Sequence, residues 1–115
     1  MLPSTTEPAD APPPGAIVIQ VGPGAVFTPD EITAPAAGTF TVFLDLSQAD
    51  EAIHHNFKIG RELPPELPLA ESETFEHGES VIFTVTGLEP GTYRFWCSID
   101  EHYNLGMNGT LVLEG

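Results

Sequence analysis

The chain is poor in cysteine, in basic residues and in long apolar runs. A single cysteine among 115 residues excludes an internal disulfide and leaves the redox compartment open. Three Lys and Arg stand against seventeen Asp and Glu, a net charge of −14. So few cations exclude binding to nucleic-acid phosphates and docking on anionic membranes. The charge favours a basic protein partner, if any. No apolar stretch reaches the ~20 residues that span a bilayer, so this chain does not insert directly. The N-terminus, MLPSTTEPADAPPPG, has neither a basic n-region nor an apolar h-region and is not a signal peptide. It reads as a flexible, Pro-rich tail over 1–15. A convincing helical period is also missing.

What the chain does have is alternation. Hydrophobic residues make up 41% of it, enough for a core in a single domain over 16–115. AIVIQVG (16–22), GTFTVFLDL (38–46), IHHNFKI (53–59), SVIFTVTGL (80–88), GTYRFWC (91–97) and GTLVLEG (109–115) are short, β-branched or aromatic, and punctuated by Gly and Pro. Period-2 patterning of this kind predicts an all-β antiparallel sandwich or barrel. LEPG (88–91) predicts a tight turn that makes 80–97 a hairpin. The stretch 60–79 carries three prolines and six glutamates: Glu62, Glu66, Glu71, Glu73, Glu76 and Glu79. It reads as an acidic surface excursion with at most a short helical turn in 62–79.

The chemistry concentrates in CSIDEHYNLGM (97–107). Alternation aims Cys97 inward at the end of its strand, beyond Tyr93 and Phe95, while Trp96 points the other way. His102 and Met107 follow on a loop that Gly106 allows to turn sharply. His55, on the inward side of another strand, adds an imidazole from far upstream. Two imidazoles, a thiolate and a thioether are the donors that a trigonal copper site with a weak axial sulfur requires. Zinc accepts the same ligands, but structural zinc sites favour more thiolates and the paired knuckles missing here. A cysteine nucleophile with His102 as base and Asp100 or Glu101 as orienter is the rival chemistry. No oxyanion-hole loop accompanies it, and the metal reading uses every donor, so the chain is not read as an enzyme.

HNF at 55–57, GTYRFWC at 91–97, the Cys-x₄-His-x₄-Met spacing, NGTLVLEG, and Phe27, Pro29 and Ile32 ahead of GTFTVFLDL together resemble the cupredoxins, the small type 1 blue copper proteins. The loop spacing is similar to the auracyanin and rusticyanin type and less so to plastocyanin or azurin. The resemblance implies a two-sheet, Greek-key β-sandwich of seven or eight strands. It implies His55, Cys97 and His102 as equatorial ligands of one copper ion, with Met107 axial and zinc as a substitute in recombinant material. Asn56 and Ser98 would tie the ligand strand to the ligand loop, and the backbone carbonyl of His54 would sit near the metal as a weak oxygen donor. Glu101, with Asp100 beside it, stands where many relatives have glycine; two carboxylates there would favour Cu(II).

The implied function is one-electron transfer between redox protein partners, such as a basic cytochrome or a membrane oxidoreductase. The alternative is a copper-binding module for storage, delivery or sensing. Electrons would leave through His102, beside a docking patch of Tyr103 and Leu105, and the acidic excursion would steer a basic partner. A monomer is expected, working outside the cytoplasm, periplasmic or anchored to the outer face, with its signal or anchor absent from this chain.

Overall fold

The computed structural model describes residues 2–22, 24, 26–35, 39–47, 54–62, 67–75, 80–99 and 106–114. Among the described residues ten strands form: β1 (Ser4–Pro8), β2 (Ile17–Val21), β3 (Phe27–Thr28), β4 (Glu31–Pro35), β5 (Thr39–Asp45), β6 (Lys58–Gly60), β7 (Ala70–Glu71), β8 (Val81–Thr86), β9 (Gly91–Trp96) and β10 (Asn108–Glu114). They make two five-stranded sheets, ordered β1-β8-β5-β2-β3 and β4-β10-β9-β6-β7. The expected two-sheet sandwich is therefore the fold, with more strands than the seven or eight anticipated.

Alternation drives the layering. On β5, Phe40, Val42 and Leu44 are buried; on β8, Val81, Phe83 and Val85; on β10, Leu111 and Leu113. These inward faces meet as one hydrophobic core, and removing such apolar surface from water is the main stabilising term. Phe43 is also buried, on the opposite face of β5.

Three expectations need correcting. Residues 4–8, expected in the flexible tail, form an edge strand that pairs antiparallel with β8, Thr6 opposite Phe83. Two adjacent threonines favour extended backbone, and Pro8 is tolerated because it ends an edge strand. The sheets are mixed, since β2 runs parallel to β5 and β4 parallel to β10. The 80–97 segment is no hairpin, because β8 and β9 lie in different sheets. Residues 87–90 turn a corner between the layers, held where the Tyr93 hydroxyl donates to the Glu89 carbonyl (2.6 Å). Each strand has one apolar face, and crossing the sandwich sets those faces against each other. Within 62–79, expected to hold at most a short helical turn, the described residues include β7 and a bridge from Phe75 to His55.

All three basic side chains are engaged with the domain itself. Lys58 pairs with Glu71 (3.0 Å), Arg61 lies over the Tyr93 ring (5.2 Å), and Arg94 donates to the Gly109 carbonyl and to Asn108 Oδ1 (2.9 and 3.0 Å). Those last bonds fix the start of β10, next to Met107. Among the described residues no helix is long and apolar enough to cross a membrane.

Candidate metal centre

Cys97 follows the last residue of β9 and is fully buried, as are Met107 just before β10 and His55 just before β6 (1% exposed). β9 is central, flanked by β10 and β6, so one end of this sheet presents three donor side chains from neighbouring chain segments. The Cys97 amide donates to the Met107 carbonyl (3.2 Å), which closes the ligand loop at its base. Gly106, at φ +104°, makes the turn into Met107 in a conformation that side-chain-bearing residues rarely adopt.

The decisive distance is 3.8 Å, from Cys97 Sγ to His55 Nδ1. Sulfur and nitrogen donors sharing one ion at bond lengths of about 2.3 and 2.05 Å, roughly 120° apart, lie about 3.8 Å from each other. Residues 42 positions apart in the chain are thus already at ligand separation, and the donor set fits a soft metal ion.

The surroundings hold that pair in place. The Asn56 amide donates to Cys97 Sγ (3.5 Å). Asn56 Nδ2 donates to Ser98 Oγ (2.9 Å), and the Ser98 amide donates back to Asn56 Oδ1 (2.8 Å). One side chain therefore ties the residue after His55 to the residue after Cys97, the kind of outer bond that fixes ligand orientation. Beneath the pair lies a cluster of four phenylalanines. Phe57 stacks on Phe95 (5.2 Å) and meets Phe27 and Phe83 edge-on (5.4 and 5.9 Å), while Phe27 also meets Phe95 (5.7 Å). Rings from both sheets lock together there and exclude water from below.

A family model for the cupredoxin-like domain matches residues 1–113. The chain belongs to the cupredoxin-like family.

Solved structures agree in fold. The cupredoxin-like chain superposes on auracyanin B with a TM-score of 0.75 at 20% identity, covering 97% of this chain and 98% of that one. Auracyanin A, a "blue" copper protein from Chloroflexus aurantiacus, gives 0.69 at 26% identity, covering 86% and 98%. Rusticyanin from Thiobacillus ferrooxidans gives 0.66 at 19% identity, covering 86% and 76%. No curated protein matches the chain in sequence.

Of the residues singled out in the cupredoxin-like sequence, the structure brings together His55, Cys97, Asn56, Ser98 and the Met107 backbone. His54 is exposed, next to buried His55. His102, Tyr103 and Leu105 lie outside the described residues, as do Glu66, Glu76 and Glu79. Glu62, Glu71 and Glu73 are on the surface, although Glu71 is partly neutralised by Lys58. Trp96 is buried on the face opposite the core, and its indole N–H has no hydrogen-bond partner among the described residues. Sequence reasoning missed two supporting groups, Ser72 and Phe75. Ser72 Oγ accepts the Phe57 amide (2.9 Å), and Phe75 exchanges both backbone hydrogen bonds with His55 (2.9 and 2.8 Å). Nothing in ESETF marks them as buried supports of His55; only the fold brings them to the strand that carries it.

Proposed function

We propose that this domain carries single electrons between protein partners on one copper ion that His55, Cys97 and His102 would hold, with Met107 as a weaker sulfur donor. The observation that carries this reading is the buried thiol and imidazole 3.8 Å apart, in a family with a blue copper protein among its structural relatives. Bound copper would alternate between Cu(II) and Cu(I), supplying the one-electron step.

The chain's residues make such a step easy by staying still. Cys97 presents a soft anionic sulfur and His55 an imidazole that suits both oxidation states. The Asn56 amide withdraws charge from the sulfur through its hydrogen bond, and the Asn56–Ser98 tie keeps the two ligand segments from separating. The phenylalanine cluster gives the site no room to relax. Little reorganisation follows a change of charge, which is what a carrier needs, and no substrate pocket is required.

Titrating the metal-free protein with one equivalent of Cu(II) should produce an intense visible thiolate-to-copper band, bleached by ascorbate and restored by re-oxidation. A colourless adduct would reduce the domain to a generic metal binder, and a coloured one that ascorbate cannot bleach would favour storage or delivery.

The partners we propose are redox proteins with basic faces, a cytochrome or a membrane oxidoreductase, met outside the cytoplasm. Docking would centre on His102, Tyr103 and Leu105. A charge of −14, with all three cations tied up internally, leaves a strongly negative surface to steer a cationic partner. Raising ionic strength from about 0.01 to 0.15 M shortens the screening length from about 30 to 8 Å. Second-order electron transfer with a basic cytochrome should therefore slow at least ten-fold in stopped flow. A rate independent of salt would reject the steering role.

A further inference from the structure

The ladder beside His55 is irregular at one point. β6 and β7 pair Ile59 with Ala70 and Lys58 with Glu71, and the Ser72 amide continues the ladder to the Phe57 carbonyl (2.9 Å). Regular pairing would next set His55 opposite Thr74, yet His55 bridges to Phe75. The 72–75 side thus holds one residue more than the 55–57 side, which is a β-bulge. The extra residue keeps Phe75 buried (2% exposed) while Glu73 and Thr74 face solvent. Without it, Phe75 would turn outward and Thr74 inward.

Two side chains hold the bulge. Ser72 Oγ accepts the Phe57 amide (2.9 Å) and donates to the Glu73 carbonyl (2.8 Å), so its hydroxyl takes the place in the ladder of its own carbonyl. The Glu73 amide donates to Thr6 Oγ1 (3.1 Å), 67 residues away. Thr6 lies on β1, in the other sheet. A second bond from the same N-terminal segment, Leu2 amide to Leu69 carbonyl (2.7 Å), anchors the start of the segment.

We infer that Thr6 and Ser72 are positioning residues for His55. The N-terminal strand, bonded to one sheet, sets the bulge on the other, and the bulge sets the backbone from which the imidazole reaches toward Cys97. The geometry stands alone, while its consequence for a metal rests on the copper reading above.

The test compares Thr6→Val, Ser72→Ala and Thr6→Ser with Thr5→Val, a change at the exposed neighbour of Thr6 on the same strand. In the metal-free protein, hydrogen exchange at the His55 and Phe75 amides should quicken about five-fold in Thr6→Val, and at least as much in Ser72→Ala. Thr6→Ser should restore protection, Thr5→Val should leave it unchanged, and the central pair β9–β10 should stay protected throughout. In copper-loaded protein the same two variants should shift the visible band and the reduction potential, with Thr6→Ser and Thr5→Val matching the parent. Unchanged exchange at His55 and Phe75 in Thr6→Val overturns the inference, as does an equal loss of protection across β9 and β10, which would mean mere destabilisation. Thr6→Val decides the matter if Ser72→Ala does not fold. If the parent takes up no copper, the copper reading fails while the exchange data still judge the positioning.

Discussion

Replacing Cys97 with serine should leave a folded domain that develops no intense visible band with Cu(II). The thiol is fully buried, accepts the Asn56 amide and faces His55 Nδ1. A hydroxyl keeps the acceptor and most of the volume, so the stability change should stay within about 2 kcal/mol. That is tolerable against a typical total of about 5–15 kcal/mol. The metal chemistry is a different matter. A coordinating thiol gives up its proton to become the thiolate that metals bind, whereas an aliphatic hydroxyl does not ionise near neutrality. Absorption spectra with near-UV circular dichroism separate the two effects. A variant that kept both its fold and the band would remove Cys97 from the centre altogether.

Gly109→Ala should be strongly destabilising. Gly109 lies on β10 opposite Phe95 of β9. A Cβ there would fall inside the van der Waals envelope of the Asp30 carbonyl and of Phe95, with Phe95 Cε1 only 2.7 Å away. Neither neighbour can yield. The Asp30 carbonyl accepts the Thr110 amide (2.8 Å), and Phe95 is wedged between Phe27 and Phe57. Overpacking of this kind costs about 3 kcal/mol or more, and thermal unfolding should drop by on the order of 10 °C. Because Phe95 stands two residues before Cys97, the loss should extend to the metal centre. A melting temperature within about 2 °C of the parent would show that the Phe95 ring has room to move.

Much of this was legible from local pattern, because burial on a strand is a local property. Phe40-Val42-Leu44 and Tyr93-Phe95-Cys97 alternate in the sequence and are buried as the alternation requires. The donors were legible as residue types, and the approach of His55 to Cys97 through resemblance to the cupredoxins. Partner choice was not legible. Alternation says which face of a strand is apolar, but not which strand lies beside it. Hence 80–97 read as a hairpin although it crosses between sheets, and the parallel pairings went unseen. β1 was hidden by its prolines, because an edge strand with one neighbour needs little propensity of its own. Gly109 read as an ordinary strand start, since the carbonyl and ring that crowd it come from Asp30 and Phe95 and meet only in the folded chain. The Ser72 hydroxyl escaped notice for the same reason.

The placement of β10 between β4 and β9 bears on how the molecule is made. Glu31 finds its ladder partner in Thr110, so β4 cannot join the second sheet until residues 108–114 leave the ribosome. Until then the nascent chain carries apolar strands without a complete layer to cover them. Topologies dominated by such distant pairings acquire their form in milliseconds to seconds, and here that interval begins only when β10 has been synthesised.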